Sequence, residues 1–247
     1  MRVALIADIH GNLPALDAVL AELQREGVDQ AVCLGDISIG PQPVETLERV
    51  RSLGCPVILG NWDAWLVEGM PDLDGGFLGQ VLSETCSWAG GRLSPEQQDL
   101  LLGFAPVLEL DLPDGEQLLA FHGSPRSFED AIFATTPDEE LEEMLDGRHA
   151  LVHVGGHTHF QLVRRLGESL VVNPGSIGLP FRRALPGVME VAPWAEYGVL
   201  TFEDGRVSVD LRRAPFDLDE LLTALRDSGM PHAEWWAARW TSRSAVS

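Results

Sequence analysis

Five short stretches of this chain carry residue types that could do chemistry: Asp8-Ile9-His10, Gly35-Asp36, Gly60-Asn61, His122-Gly123 and Gly156-His157-Thr158-His159. Their side chains offer imidazole nitrogen, carboxylate oxygen and amide oxygen, with no thiolate among them. Such donors suit Mn, Fe, Zn, Co or Ni, and metal availability usually decides among these. Each stretch alone is weak, since Asp-x-His arises by chance and Gly-Asp is often only a turn. Their order is what carries the reading, because every one of them closes an apolar run. In an extended segment residues i and i+2 face the same way, so Asp8 with His10, and His157 with His159, are each expected to aim at one centre. Glycines at 11, 35, 60, 123 and 156 leave room for close backbone approach.

The elements that must position these groups follow from the hydrophobic pattern. Val3–Ala7 reads as a strand, and Leu16, Val19, Leu20 and Leu23 recur at helical spacing behind Pro14. Ala31–Leu34 is a second strand, Val44, Leu47 and Val50 mark a second helix, and Val57–Leu59 is a third strand. This β-α-β-α-β order predicts parallel strands. Residues 64 to 104 look helical, with Ser94-Pro95-Glu96 as a helix start. The second half is richer in strands: Val107–Leu112, Leu118–Phe121, Ala150–Val154, Gln161–Arg165, Leu170–Val172, Gly198–Phe202 and Val207–Arg212. Asp114-Gly115 and Asp204-Gly205 are hairpin signals. One helix, Asp138–Leu145, interrupts the series, and an amphipathic helix is expected from about Asp217 to Trp240. The metal-type residues therefore fall at strand ends, where ligands gather in open α/β sheets.

Length and composition set bounds. The 247 residues suffice for one large α/β domain, and no repeat or linker divides them. No apolar stretch approaches the roughly 18 residues that span a bilayer, and Val3–Ala7 meets Asp8 too soon to be a signal peptide. Cys33, Cys55 and Cys86 are odd in number and widely spaced, which predicts reduced thiols and a cytoplasmic setting. The net charge is −21, with 38 acidic residues against 17 basic ones, and every basic residue is Arg. That balance opposes binding to long nucleic acid, which needs many cationic phosphate contacts. An anionic substrate would need a local positive centre, which bound metal ions can supply.

The ordered set Asp8-x-His10, Gly35-Asp36, Gly60-Asn61, His122 and Gly156-His157-x-His159 resembles the calcineurin-like metallophosphoesterases over roughly residues 1 to 180. Asn173-Pro174-Gly175-Ser176 is similar to the small prokaryotic phosphodiesterase branch of that family. The resemblance implies a four-layer α-β-β-α sandwich of two mixed sheets in a single domain, residues 1–247, with a dinuclear site at the strand ends. It implies that Asp8, His10 and His159 hold one divalent ion, that Asn61, His122 and His157 hold the other, and that Asp36 bridges them. Asp36, Asn61 and His122 are thereby also the candidate catalytic residues, and manganese is the first expectation for the metal. Two such ions, about 3.5–4 Å apart, activate a shared water for in-line displacement. A bridging hydroxide is then the nucleophile, and a small phosphoester of nucleotide-like or aryl type is the expected substrate. The alternatives are a phosphomonoesterase or protein phosphatase, or a catalytically silent protein-binding scaffold; the filled ligand set speaks against the last.

Trp62 departs from the pattern. Many family members have a histidine there that protonates the leaving group, whereas an indole can donate a hydrogen bond but cannot titrate. Trp62 reads either as a cover over the pocket, packed on Trp65, or as a surface that stacks on substrate. Asp63, which would ordinarily orient the missing histidine, reads as a turn or supporting carboxylate. Arg182 and Arg183 could reach a phosphate, or could be a solvated pair. Phe160 and Phe181 fit either the pocket mouth or the core. His153 reads as a core histidine and His232 as exposed. Residues 64–104 are expected to form a helical cap beside the site, and the segment 217–241 one helix packed on the domain. Trp235, Trp236 and Trp240 fit that packing or a homodimer interface.

Overall fold

The computed structural model describes residues 1–72, 76–185 and 188–241. Strands β1 (Arg2–Ile6) and β2 (Gln30–Cys33) lie parallel, joined by helix α1 (Leu13–Glu26). The helix starts where the Asn12 side chain accepts the Ala15 N–H at 3.1 Å with Pro14 in the first turn, and it ends at Gly27 in the left-handed conformation. Helix α2 (Pro43–Arg51) follows. The third strand expected at Val57–Leu59 does not form. That run makes only isolated bridges, Cys33 with Val57 and Ile58 with Ala105. The Ile58 N–H goes to the Cys33 carbonyl and the Leu59 N–H to the Ala105 carbonyl, so neither ladder extends.

Three helices occupy the next region: α3 (Asn61–Glu68), α4 (Gly76–Gly90) and α5 (Pro95–Leu102). Ser94 caps α5 reciprocally with Gln97, as its Ser-Pro-Glu start predicts. Then come β3 (Val107–Asp111), β4 (Gln117–Phe121), α6 (Asp138–Met144), β5 (Val152–Val154), β6 (Leu162–Leu166) and β7 (Ser169–Asn173). A hairpin not expected from the sequence, β8 (Phe181–Leu185) and β9 (Val188–Val191), precedes the long pair β10 (Ala195–Glu203) and β11 (Arg206–Ala214). That pair turns on Asp204 and Gly205, both at positive φ, as a two-residue hairpin requires.

The first sheet runs β11-β10-β1-β2, the second β3-β4-β5-β7-β6, and each mixes parallel and antiparallel pairs. Alternation along β1 builds the layers. Val3 and Leu5 face the second sheet and pack with Leu118, Val152 and Val154, while Ala4 and Ile6 face α1 and α2 through Leu16, Val19 and Leu47. Behind the second sheet, Leu119 and Phe121 meet Leu141 and Met144 of α6. The result is the four-layer α-β-β-α sandwich.

The C-terminal segment forms two helices where one was expected, α7 (Leu218–Asp227) and α8 (Ala233–Thr241). Gly229 takes φ 74° and Pro231 follows it, which ends the first helix and restarts the second. Both pack with Val81 of α4 and Val191 of β9. Trp236 and Trp240 are buried there and Trp235 is half-buried beside them, in keeping with packing on the domain. Among the described residues no helix is long and apolar enough to cross a membrane, and Cys33, Cys55 and Cys86 are free.

Candidate metal centre

The carboxyl ends of β1, β2, β4 and β5 point to one place, together with the first residue of α3. Asp8, His10, Asp36 and His159 bring ligand atoms within 4.8 Å of one another, and Asp36, His122 and His157 do the same. Asp36 belongs to both groups. Asn61 completes the second, its Oδ1 lying 3.0 Å from His122 Nε2 and 2.9 Å from His157 Nδ1. His159 Nε2 lies 3.3 Å from Asp8 Oδ1 and 3.0 Å from His10 Nε2. The structure thus draws all seven candidate ligands into one cluster.

The way they converge differs from the expected i, i+2 alternation. Asp8, His10, Asp36, His157 and His159 all have φ between 49° and 67°, a conformation that non-glycine residues seldom adopt. These segments are tight turns, not extended strand ends. The turn after β5 also sends its two histidines to different groups, His157 towards Asn61 and His159 towards Asp8 and His10. Backbone strain of this kind costs of order 1–3 kcal/mol per residue and persists only where surroundings enforce it.

The enforcing contacts are on neighbouring turns. Gly60 sits so close to Asp36 that a Cβ there would be 2.2 Å from Asp36 Oδ1. Asp63, fully buried in the first turn of α3, accepts the N–H groups of Asp36 (2.8 Å), Ile37 (2.9 Å) and Gly60 (3.2 Å). Asn173 Nδ2 donates to the Gly156 carbonyl at 2.6 Å and to Thr158 Oγ1 at 3.1 Å. The Ser176 hydroxyl donates to the Asp8 carbonyl at 2.7 Å and accepts the Leu179 N–H. The Asn173-Pro174-Gly175-Ser176 motif marks both residues in the sequence, but their grip on the ligand turns arises only from the tertiary fold. Asp63 three residues after Gly60 has the spacing of a carboxylate reaching back to a helix start, which was the available signal.

Tautomers are set in the same way. His122 Nδ1 lies 2.6 Å from the Leu34 carbonyl and His159 Nδ1 2.8 Å from that of Leu179. Each Nδ1 therefore carries the donated proton, and with the imidazole neutral, as metal binding requires, the Nε2 lone pair faces the cluster. In the metal-free chain the charges compensate one another. Burial and the neighbouring His159 hold His10 down to about 4. Burial also opposes charge on His122, but the adjacent Asp36 carboxylate outweighs it and lifts that imidazole to about 10. Asp36 itself is buried, yet His122 and His10 hold it below the usual carboxylate range. Burial and the Asp36 charge push Asp63 up to about 7, a charge that cations beside Asp36 would offset.

The residues present fit divalent metal ions. Among the described residues Asp36 Oδ2 is buried with only imidazole nitrogens near it, His122 Nε2 at 3.3 Å and His10 Nε2 at 3.8 Å, and no well-formed hydrogen bond, which is costly unless something else occupies it. His10 and His159 point ring nitrogens at each other across 3.0 Å although the other nitrogen of His159 already binds a carbonyl. Nitrogen and oxygen donors without thiolate are the set expected for Mn, Fe, Zn, Co or Ni.

The remaining candidates fall around this cluster. Trp62 is half-buried, its N–H donates to Asp36 Oδ1 at 2.9 Å, and its ring meets Trp65 edge-on at 5.0 Å. It lines a cavity beside His10, His157 and His159, as does Phe181, whose ring stacks on His159 at 4.6 Å. Phe160 is exposed at 6.1 Å from Phe181. Arg182 is exposed on β8 and is not among the cavity walls; the side chain of Arg183 lies outside the described residues. His153 is buried on β5 and reaches the Arg148 carbonyl at 3.4 Å, in keeping with a core histidine. His232 is half-buried, not exposed, and sits 2.8 Å from Glu84.

The fold and the clustered metal-type side chains together point to a metallophosphoesterase, and the comparisons agree. The calcineurin-like phosphoesterase superfamily domain matches residues 1–192, and the chain belongs to that superfamily. An uncharacterised protein of Methanocaldococcus jannaschii is 26% identical over 253 residues, covering 96% of each chain. The phosphodiesterase YfcE of Escherichia coli K12 is 27% identical over 191 residues, 73% of this chain and 81% of its own. Among solved structures, a metallophosphoesterase from Sphaerobacter thermophilus is 25% identical with a TM-score of 0.74, covering 97% of this chain and 98% of that one. A hypothetical protein from Pyrococcus horikoshii OT3 shares the fold, with a TM-score of 0.76 at 23% identity over 97% of each chain.

Proposed function

We propose that this chain is a two-metal phosphodiesterase acting on small aryl or nucleotide-like phosphoesters. The observation that carries the reading is the sharing of Asp36 between two ligand groups. Asp8, His10 and His159 would hold one ion, Asn61, His122 and His157 the other, and Asp36 both, with manganese as the first candidate. When bound, such a pair lowers the pKa of a shared water and clamps the attacking and leaving oxygens in line. The ions also supply the local positive charge that an anionic ester needs on a chain of net charge −21. The preference for aryl over alkyl leaving groups rests on Trp62. No titratable side chain stands at the family's proton-donor position, so substrates with acidic leaving groups are favoured.

The test pairs metal analysis of the purified protein with a panel of phosphomonoesters and phosphodiesters assayed in Mn²⁺. Two ions per chain and preferential turnover of diesters are expected. Faster turnover of alkyl monoesters or phosphopeptides would replace the reading with a monoesterase or protein phosphatase. Two ions with no turnover of any ester would leave a protein-binding scaffold.

A further inference from the structure

Beside the ligand cluster lies a cavity of about 200 Å³. One end is formed by Trp62 and the three metal-type histidines His10, His157 and His159. The other end is built by parts of the chain far from them in sequence: Leu82 of α4, Leu179, Leu225 of α7, Met230, and Trp236 and Trp240 of α8. Among the described residues no arginine or carboxylate is among its walls. The cavity exists because the helix pair α7–α8 folds back against α4, which buries Leu225, Trp236 and Trp240 in one apolar cluster.

Two residues with polar atoms, Thr85 and Trp240, contribute to its wall and bear on what it can hold. Thr85 Oγ1 is already occupied, accepting the Trp236 indole N–H at 3.1 Å. The Trp240 indole is different: its Nε1 is buried and has no hydrogen-bond partner among the described residues. Buried indole N–H groups usually find an acceptor. An engineered apolar cavity of about 150 Å³ admits benzene, so this volume suits an aromatic group somewhat larger. A second phosphate would meet no arginine among the described residues of this wall. A nucleobase would bury several polar edge atoms against one donor, each unmatched atom costing roughly tenfold in affinity.

We propose that this cavity is the subsite for one organic arm of the ester, an uncharged aromatic group, with the Trp240 N–H binding a single acceptor at its far end. The inference rests on the phosphodiesterase reading and narrows it from nucleotide-like or aryl esters to aryl ones. Trp240 acts on specificity and stands outside the metal cluster.

The test is equilibrium binding of non-hydrolysable phosphonates to the full chain loaded with Mn²⁺, measured by calorimetry for wild type, Leu82→Trp and Trp240→Phe. The probes are methylphosphonate, 2-naphthylphosphonate and a quinolinylphosphonate carrying one ring nitrogen. In wild type the naphthyl compound binds at least roughly tenfold tighter than the methyl one, through burial of an aromatic face. Leu82→Trp, which fills the cavity from a half-buried position, cuts that preference below about threefold and leaves methylphosphonate unchanged. Trp240→Phe weakens the quinolinyl compound by about 3–10-fold and the naphthyl compound hardly at all. Equal affinity for naphthyl and methyl compounds in wild type overturns the proposal, as does a preference that survives Leu82→Trp. These two arms decide even if Trp240→Phe does not fold. Turnover of the ester panel judges the other reading separately: aryl-selective binding without turnover removes the hydrolase, whereas turnover without aryl selectivity removes only the subsite.

Discussion

The Asp63 carboxylate accepts the backbone N–H of Asp36 at 2.8 Å, so the residue next to Trp62 holds the main chain of the shared ligand. Its other oxygen takes the Ile37 N–H at 2.9 Å, and Gly60 N–H shares the first. Three donors from two turns thus converge on one buried side chain. This fixes the distance between the Gly35-Asp36 turn and the start of α3, and with it the distance from Asp36 to Asn61.

Asp63→Asn tests that arrangement. An amide has one accepting oxygen, so at least one of the three backbone N–H groups must face an NH₂ donor. Stability is expected to fall by about 1–3 kcal/mol, the cost of a buried group left unmatched. Metal affinity is expected to fall by about 10–100-fold, the usual effect of disturbing a residue that orients a ligand. Urea unfolding of the apo protein and Mn²⁺ titration measure the two effects. Unchanged stability would show that the three hydrogen bonds do not hold the turns.

Asp36→Asn addresses the ions themselves. Asp36 is the residue common to both ligand groups, and among the described residues its Oδ2 faces only imidazole nitrogens, His122 Nε2 at 3.3 Å being the nearer. The amide removes the charge and one oxygen donor together, so both ions and the turnover should be lost. Elemental analysis after desalting reads the outcome, and two retained ions with full activity would rule out a shared carboxylate.

The nucleophile is expected to be water. Of the hydroxyls close to the ligand turns in sequence, Thr158, Ser124 and Ser176 are engaged in hydrogen bonds and Ser38 is fully buried. Ser124 Oγ lies 2.7 Å from Asp130, and Ser176 is fully buried against the Asp8 carbonyl. Hydrolysis of a chiral phosphorothioate diester in ¹⁸O water should therefore proceed with inversion at phosphorus. Retention would require a covalent phosphoenzyme.

Much of this centre could be read along the chain because each ligand closes an apolar run beside a glycine. That pattern survives whether the segment is extended or, as here, turned through positive φ at Asp8, His10 and Asp36. Local caps at Asn12 and Ser94 marked their helices for the same reason, since a cap is a short-range contact. The β8–β9 hairpin was hidden because its first strand carries Arg182 and Arg183 in place of an apolar alternation. The strand expected at Val57–Leu59 failed because its partners lie on two different segments. The aromatic cavity was beyond reach for a plainer reason. Its walls run from His10 to Trp240, and only tertiary packing joins them.

A pH effect on stability should come from Glu196, which is 6% exposed. Burial raises its pKa, a shift that Trp194 Nε1 and Arg213 oppose by hydrogen bonding and charge. The folded chain therefore holds this proton more tightly than the unfolded chain. Its contribution is full below the ordinary glutamate range and is lost as pH rises through the raised value. Thermal melts of wild type and Glu196→Gln in the metal-free state should diverge with pH, the wild type losing stability relative to the variant as pH climbs above about 4.5. Parallel curves would mean that the carboxyl titrates alike in both states.

Trp62 decides how the leaving group departs. Its indole lines the cavity mouth beside His10 and rests on Trp65, and Asp63 is fully committed to backbone N–H groups. If no side chain supplies a proton, the rate should fall steeply as leaving-group pKa rises, and nitrophenyl diesters should far outrun alkyl esters. Trp62→His would restore a titratable donor at the family position. Asp63 is not free to orient that imidazole, so the gain on alkyl esters should be several-fold, below the roughly 10²–10⁴ of a well-positioned acid. Asp63→Asn added to Trp62→His should not abolish the gain selectively, because the carboxylate faces the main chain. Trp62→Ala should raise KM for aryl esters and spare methyl ones, since stacking on one aromatic contributes about 1–3 kcal/mol. One Brønsted series on wild type, Trp62→His and Trp62→Ala reads all of this. Three equal slopes with three equal KM values would reduce Trp62 to a cover over the site, and the proton would then come from water.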